Sequence, residues 1–374
     1  MNINTLRTDF PVLLLYNLDP TWPAQDRYES VEIMEKLRGE LQKQGHPVLP
    51  LCLEDADLTG LLSAYDPEKY LVFNWCEEIP GLPRSAAEAA RGLEKPGFTF
   101  TGADSQGLTL AQDKRLVKRA LHQSGLPTPA WKIYETNTRN GWECFPAIVK
   151  PAFEHCSFGI TREAVVRSPQ ELHQRIEFVL REFSQPALVE EFIDGREFHV
   201  TVIGNGTLHV LPPAEMDFSA FADVRDRLCT YESKFDPQST YYKEIRLHLP
   251  APLTPEEQAR LEQTALAAYR ATSCRDYARL DIRMRDGTFY VLDVNPNADF
   301  SPDTSVALAA EVAGYSYGQL GSWLVNLAAQ RHPVFGTWQP EPEISSGTHA
   351  LPLPRGVSVL PVHLGVSVKG PAPG

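Results

Sequence analysis

The chain opens on a short, unbroken apolar run, Val12–Tyr16. A run of that length without alternation predicts a strand buried on both faces. Ile33, Met34, Leu37 and Leu41 then recur at helical spacing with charged residues between them, and Gly45 stops the helix. Val48–Leu51 and Tyr70–Trp75 predict two more strands. This β-α-β order predicts a parallel sheet with ligands at the carboxyl ends of its strands. Those ends are Asn17-Leu18-Asp19 and Asn74-Trp75-Cys76-Glu77-Glu78.

From Asp113 the pattern changes. Asp113-Lys114-Arg115 opens an amphipathic helix with Leu116, Val117, Ala120 and Leu121 inside, ended by Pro127 and Pro129. Ala147–Val149 leads into Lys150-Pro151, and a polar loop follows over Glu154–Gly159. A helix is expected from about Pro169 to Phe183, then a strand from Ala187 running into a turn at Asp194-Gly195. Gly204-Asn205-Gly206 reads as a hairpin turn between Phe198–Ile203 and Thr207–Leu211. Thr254–Thr272 is a long helix whose Thr-Pro-Glu-Glu start is good capping chemistry. Leu280–Met284 and Phe289–Val294 flank Asp286-Gly287, a strong hairpin pattern. Two helices follow, near 303–313 and 317–330. Residues 332–374 hold 8 of the 31 prolines and 6 of the 24 glycines, which predicts a loosely attached extension with one strand around Val357–Leu360.

Composition narrows the class. With 374 residues, 43% hydrophobic and 22% charged, the chain is of ordinary soluble globular make-up, about two domains' worth. A net charge of -13 argues against a general binder of nucleic acid or anionic membrane, yet leaves room for a local basic pocket. The six cysteines show no C-x-x-C spacing, so free thiols in a reducing cytosol are expected rather than structural zinc. The first residues do not read as a signal peptide, and Val12–Tyr16 is too short to span a bilayer, so the cytoplasm is the expected compartment. Neither G-x-x-x-x-G-K-[ST] nor G-x-G-x-x-G occurs, which disfavours a P-loop or a dinucleotide fold.

The strongest chemical pattern is Arg279-Leu280-Asp281 followed, across the hairpin, by Asp293-Val294-Asn295. Asp293 and Asn295 are two apart and share a face, and the hairpin can bring Asp281 beside them. Two carboxylates and an amide oxygen suit Mg²⁺. The same residues also describe a solvated strand end. Lys114 and Lys150 are further candidates, Lys150 at the edge of a buried strand where a lysine acts as a point charge on phosphate. A lone lysine is more often simply solvated. Glu190-Glu191-Phe192-Ile193 could offer backbone to an adenine edge and acids to ribose, or be a charged edge strand.

In this order the elements resemble the ATP-grasp superfamily, most closely its D-alanine–D-alanine ligase branch. The resemblance covers roughly residues 98–331. Thr101-Gly102, Thr230–Phe235 and Ala309–Gly314 also match in place, whereas the first 97 residues match only in their β-α-β pattern. It implies an α/β fold of ATP-grasp architecture. An N-terminal β-α-β domain (1–108) is expected on the substrate side, then a small central lobe (109–185), a C-terminal lobe (186–331) clamping ATP, and the extension (332–374). Lys114 and Lys150 match lysines that hold nucleotide phosphates. Glu190 and Ile193 match adenine contacts, Ile193 through its backbone, and Glu197 the ribose-binding acid. Lys234 matches a loop lysine that reaches the phosphates, and Ser157-Phe158-Gly159 the loop over them. Asp281, Asp293 and Asn295 match ligands for Mg²⁺ or Mn²⁺, and Arg279 the arginine that steadies charge during amide formation.

The amino-acid side departs from the family. Its Gly-Gly-x-Ser-x-Glu-type start is replaced by Asn17-Leu18-Asp19-Pro20-Thr21-Trp22, and its His-Gly stretch by Asn74–Glu78. His155 and Cys156 stand where small loop residues are expected, Phe235 replaces a tyrosine, and Thr304 stands for a serine that binds the acceptor carboxylate. Glu77 or Glu78 could meet a substrate ammonium from a new direction, or belong to a structural strand end. The expected activity is ATP-dependent joining of a carboxylate to an amine, on D-alanine or on another small amino acid or peptide. A nucleotide-binding regulatory protein with a decayed substrate site is the alternative from another class. The quaternary state stays open, a homodimer included.

Overall fold

The structure, a computed structural model, describes residues 6–137, 141–337 and 358–361. Strands β1 (Val12–Asn17), β2 (Val48–Leu53), β3 (Leu71–Trp75) and β4 (Thr99–Phe100) form a parallel sheet in the order β2-β1-β3-β4. Val12 and Leu14 of β1 enter one apolar cluster and Leu13 and Leu15 another, which is why that run shows no alternation. Helix α1 (Ala24–Gln44) ends at Gly45, which takes φ 113°. α2 (Leu58–Leu62) and α3 (Ala86–Glu94) supply Leu58, Leu62, Ala89, Ala90 and Leu93 to the cluster around Leu13 and Leu15.

A second, antiparallel sheet has the order β5-β8-β6-β7, from β5 (Trp131–Tyr134), β6 (Ala147–Pro151), β7 (Val165–Val166) and β8 (Ala187–Glu191). Two helices precede it, α4 (Ser105–Gln112) and α5 (Lys114–Gln123). Asp113 ends the first and caps the second, its carboxylate accepting from the Arg115 N–H, so the expected helix start is a junction of two helices. α6 (Pro169–Glu182) lays Leu172, Ile176 and Val179 on this sheet.

The third sheet runs β14-β13-β9-β11-β12-β15, with β10 pairing on β9. Its strands are β9 (Arg196–Asn205), β10 (Thr207–Val210), β11 (Ala214–Asp217), β12 (Arg246–Leu249), β13 (Tyr277–Arg285), β14 (Thr288–Pro296) and β15 (Ser358–Pro361). Short helices α7 (Glu232–Phe235) and α8 (Thr240–Glu244) lie between β11 and β12. The long helix α9 (Pro255–Ala271) starts on a full capping box, Thr254 with Glu257, and packs Leu261, Ala265 and Ala268 on Phe198, Val200, Leu280 and Ile282. Two apolar helices follow, α10 (Ser305–Val312) and α11 (Tyr317–Ala329). Gly321 of α11 lies against α1, where a Cβ would meet Leu41 at 3.0 Å. The strand expected near Val357–Leu360 is β15, paired antiparallel with β12; residues 338–357 and 362–374 of the extension, and the side chain of Phe235, lie outside the described residues.

Strands β4, β5, β7, β11 and β12 are not foreseen from the pattern. They are two to four residues long, too short for a period of two to declare itself. All six cysteines are free thiols. Among the described residues no helix is long and apolar enough to cross a membrane.

Asp276, wholly buried and just before β13, joins the parallel sheet to the seven-stranded one. Its carboxylate accepts from the Gly102 N–H (2.7 Å), the Asn205 side-chain amide (2.7 Å) and both terminal nitrogens of Arg331 (2.6 and 2.8 Å). Arg331 also donates to the Phe100 carbonyl at 2.9 Å. Removing one charge of such a pair leaves the other uncompensated. Asp276→Asn is therefore expected to lower unfolding free energy by about 2 to 4 kcal/mol, read from urea denaturation.

Candidate active site

Alternation along β9 and β13 divides each strand between core and cleft. Phe198 and Val200 of β9, like Leu280 and Ile282 of β13, face α9, so Glu197 and His199, and Arg279, Asp281 and Arg283, face the other way. In the β13–β14 hairpin Asp281 stands opposite Asp293 and Arg279 opposite Asn295, with a one-residue irregularity after Asp281. The three residues expected to bind metal are thus brought together. Arg279 forks onto Asp281, Nε to Oδ1 at 2.7 Å and Nη2 to Oδ2 at 3.1 Å, and the Asn295 amide donates to Asp281 Oδ2 at 3.1 Å. Lys114 Nζ donates to Asp293 Oδ2 at 2.6 Å. Burial alone would raise both carboxyls. Arg279 beside Asp281 and Lys114 beside Asp293 reverse this, and both lie below the usual carboxylate range. Two ionised carboxylates and an amide oxygen, all hard donors, fit Mg²⁺ or Mn²⁺.

Glu190, at the end of β8, is 1% exposed and carries two lysines, Lys118 at 2.5 Å and Lys150 at 2.7 Å. Burial pushes Glu190 up, but the two ammonium groups hold it below the ordinary range. Lys150 is raised, because Glu190 outweighs its burial. Lys118 is lowered by burial, despite Glu190. Lys118 also donates to the Leu292 carbonyl (2.7 Å) and to Thr128 Oγ1 (2.9 Å), tying α5 to β14. The sequence reading missed Lys118. It lies four residues after Lys114 on the same helix face, and that spacing could have revealed it.

Arg283, also missed, donates to Glu197 Oε2 at 2.6 Å and to the Ile193 carbonyl at 2.8 Å. Burial would raise Glu197, yet Arg283 holds it well below the usual range. His199 lies between acids, its Nε2 3.8 Å from Glu197 and 3.9 Å from Asp281. The polar loop closes on the cleft from the other side. Cys156 and Ser157 both take positive φ (53° and 62°), Ser157 Oγ donates to the Cys229 carbonyl at 2.9 Å, and Phe158 packs on Tyr231 with ring centroids 5.3 Å apart. Burial, then Lys114, push His155 down to about 4, so its ring is neutral at pH 7.

Lys114, Lys150, Ser157, Glu190, Ile193, Glu197, Lys234, Arg279, Asp281, Asp293 and Asn295 all line one cleft between the second and third sheets. It opens into a neighbouring cavity of about 470 Å³, and Lys234, Arg279 and Asn295 line both. Glu77, Glu78 and Thr304 line the larger cavity. Burial pushes Glu78 up, although its carboxylate accepts from the Arg84 N–H at 2.7 Å. The Thr304 hydroxyl turns back onto the Ser301 carbonyl (2.8 Å) at the start of α10.

A family model described as "D-ala D-ala ligase C-terminus" matches residues 121–326. The chain is 34% identical over 312 residues to an uncharacterized protein of Sinorhizobium fredii, covering 80% of this chain and 88% of the relative. It is 31% identical over 258 residues to the D-alanine–D-alanine ligase of Ralstonia nicotianae, covering 67% and 73%. The crystal structure of the D-alanine–D-alanine ligase from Bacillus anthracis complexed with ATP is similar in fold, with a TM-score of 0.67 at 20% identity, over 87% of this chain and 98% of that one.

Two outcomes are expected from the buried charges. Lys118→Met removes one of two counter-charges from Glu190 and should lower stability by about 3 kcal/mol in urea titration, while a leucine at an exposed position such as Lys36 should do nearly nothing. The depressed carboxyls set an acid limb. Below about pH 4.5 the unfolded chain takes up protons before the folded Glu197 does, so stability present above that pH is lost as pH falls further. Urea midpoints measured from pH 6 down to pH 3 should fall less steeply in Glu197→Gln than in the parent protein.

Proposed function

The chain belongs to the D-alanine–D-alanine ligase family, with its ATP-grasp fold, and from that premise we propose that it joins a carboxylate to an amine using ATP, by way of an acyl phosphate. The observation that carries this reading is the shared wall between the two cavities. Arg279, Lys234 and Asn295 line both, so a group held in the larger cavity meets the charged cleft at the cation best placed for developing negative charge.

A carboxylate is a poor acyl donor. In the proposed reaction one of its oxygens attacks the γ-phosphorus of ATP, the bond from that phosphorus to the β–γ bridging oxygen breaks, and ADP leaves. The amine nitrogen then attacks the acyl carbon, the carbon–oxygen bond to phosphate breaks, inorganic phosphate leaves, and the amine proton passes to solvent. Phosphoryl transfer of this kind needs positioning and charge dispersal rather than a covalent nucleophile. Lys114, Lys150 and Lys234 would spread phosphate charge, with the Ser157 loop lying over it. Glu190 and the Ile193 backbone would meet adenine, and Glu197 a ribose hydroxyl. Asp281, Asp293 and Asn295 would hold Mg²⁺ or Mn²⁺, which when bound offsets phosphate charge. Arg279 would steady the oxyanion of the acyl-transfer step. Glu77 or Glu78 would take a substrate ammonium, and the start of α10 an acceptor carboxylate, Thr304 holding the turn before it through its bond to the Ser301 carbonyl. Residues 1–108 thereby supply the substrate side, while 109–185 and 186–331 close on the nucleotide.

The test is ADP release by the purified protein across amino acids and short peptides. Release is expected to need ATP, a divalent cation and an amino acid or peptide together. Asp293→Asn removes one ligand charge and the partner of Lys114, and should lower kcat/KM at limiting Mg²⁺ by about 100-fold while circular dichroism stays unchanged. Turnover by that variant equal to the parent's at limiting Mg²⁺ would remove Asp293 from the metal set.

A further inference from the structure

Two asparagines at the carboxyl ends of the parallel sheet are more buried than a polar side chain tolerates without a partner. Asn17 ends β1 and is 3% exposed; Asn74 lies in β3 and is 6% exposed. The parallel register pairs Leu15 with Asn74, which puts Asn17 and Asn74 on one face as diagonal neighbours of adjacent strands. Both side-chain oxygens are already engaged. Asn17 Oδ1 accepts from the Glu77 N–H at 3.0 Å, and Asn74 Oδ1 from the Cys76 N–H at 3.3 Å. Those bonds fix which way each amide points, because a flipped amide would aim NH₂ at N–H. Each Nδ2 is then left as a buried donor with no acceptor among the described residues, and both side chains line the 470 Å³ cavity.

A buried NH₂ with no acceptor is costly, and buried polar groups in native proteins are almost always satisfied. Two such groups, on adjacent strands and lining one cavity, call for an oxygen supplied by what the cavity binds. The charge around them selects the kind of oxygen. Glu77 and Glu78 line this cavity and not the charged cleft, whereas Glu154, Lys234 and Arg279 line both, and Arg84, the remaining arginine of the cavity wall, is paired with Glu154 at 2.8 Å. A carboxylate would be repelled there; a neutral carbonyl would not. Arg279, which lines the same cavity, is where the reacting carboxylate belongs. The cavity falls in the range of sites that enclose a ligand larger than a single small amino acid, about 300 to 1,000 Å³. Resting on the ligase reading above, we propose that Asn17 and Asn74 clasp a neutral amide carbonyl of the carboxylate substrate. The activated substrate is then an amino acid with a side-chain amide, or a short peptide, rather than alanine. Alanine offers only a methyl group in that direction and leaves both donors unpaired.

Hydroxylamine as the amine tests this independently of the natural acceptor, because it converts any acyl phosphate formed into a hydroxamate. Hydroxamate and ADP are measured with D and L forms of alanine, asparagine, glutamine, aspartate and glutamate, and with alanyl-alanine. Asparagine, glutamine or the dipeptide should exceed alanine, aspartate and glutamate in kcat/KM by at least about tenfold. Activity with the side-chain amides identifies one source of the carbonyl, and activity with the dipeptide the other. Asn17→Asp and Asn74→Asp keep size and the fixed oxygen but replace NH₂, and each should lower the ratio of amide to alanine kcat/KM at least about tenfold. Alanine matching the best amide donor overturns the inference and leaves the ligase reading standing, as does a ratio unchanged in both variants. If a variant fails to fold, the ranking of donors by the parent protein decides. No hydroxamate and no ADP from any carboxylate defeats the ligase reading, and this inference with it.

Discussion

A carboxylate cannot keep its charge in a protein interior unless something positive is buried with it, and that constraint organises the cleft around Glu190. Glu190 sits at the end of β8, Lys150 comes from neighbouring β6, and Lys118 from α5. Lys118 reaches on to the backbone carbonyl of Leu292 in β14. One buried charge thus fastens a helix, two strands of the second sheet and a strand of the third at a single point. Asp293, one residue beyond that carbonyl, is in turn held by Lys114 from the first turn of the same helix. The helix therefore places two ammonium groups, one turn apart, on acids from the two sheets that wall the cleft.

The same strands serve packing and chemistry through their period of two. Phe198, Val200 and Val202 of β9 and Ala278, Leu280 and Ile282 of β13, on the core-facing side, are apolar and fully buried, and that packing against α9 holds the backbone still. The alternate residues inherit the rigidity. Arg279, Asp281 and Arg283 stand opposite Thr201, His199 and Glu197 in turn, and each carboxylate of this row has its arginine, Asp281 with Arg279 and Glu197 with Arg283. The paired arginines hold Asp281 and Glu197 below the usual carboxylate range, so both are ionised at neutral pH, the condition under which a metal ion can be bound by charge.

What could be read from sequence is what is local. The unbroken run at Val12–Tyr16, the Asp-Gly hairpin and the two-residue spacing of Asp293 and Asn295 carry their geometry within a few residues, and the structure has them so. Asp276 and Arg283 were invisible for the opposite reason. Asp276 meets Gly102 and Arg331, and Arg283 meets Glu197, across 174, 55 and 86 positions of sequence. The direction of the Thr304 hydroxyl depends on a loop carbonyl that no pattern announces. The same holds for the orientation of the Asn17 amide, set by the backbone of Glu77 sixty positions away.

The two cavities differ in how far their polar groups are satisfied within the chain, and that difference bears on specificity. In the charged cleft each expected carboxylate already has a cation from the protein, so a ligand arriving there exchanges one set of counter-charges for another. Such exchange discriminates by charge and barely by shape. Asn17 and Asn74, which line the larger cavity together with Trp22 and Trp75, carry buried donors that no acceptor among the described residues meets. A site built to hydrogen-bond a given group rejects analogues lacking it far more strongly than an apolar pocket rejects a missing methylene. If the proposed clasp holds, selection among carboxylates is concentrated at the ends of β1 and β3, where the sequence departs most from the family pattern. On that reading the phosphate-handling half could stay constant while the strand ends change, because the two cavities share only part of their walls, Lys234, Arg279 and Asn295 among it.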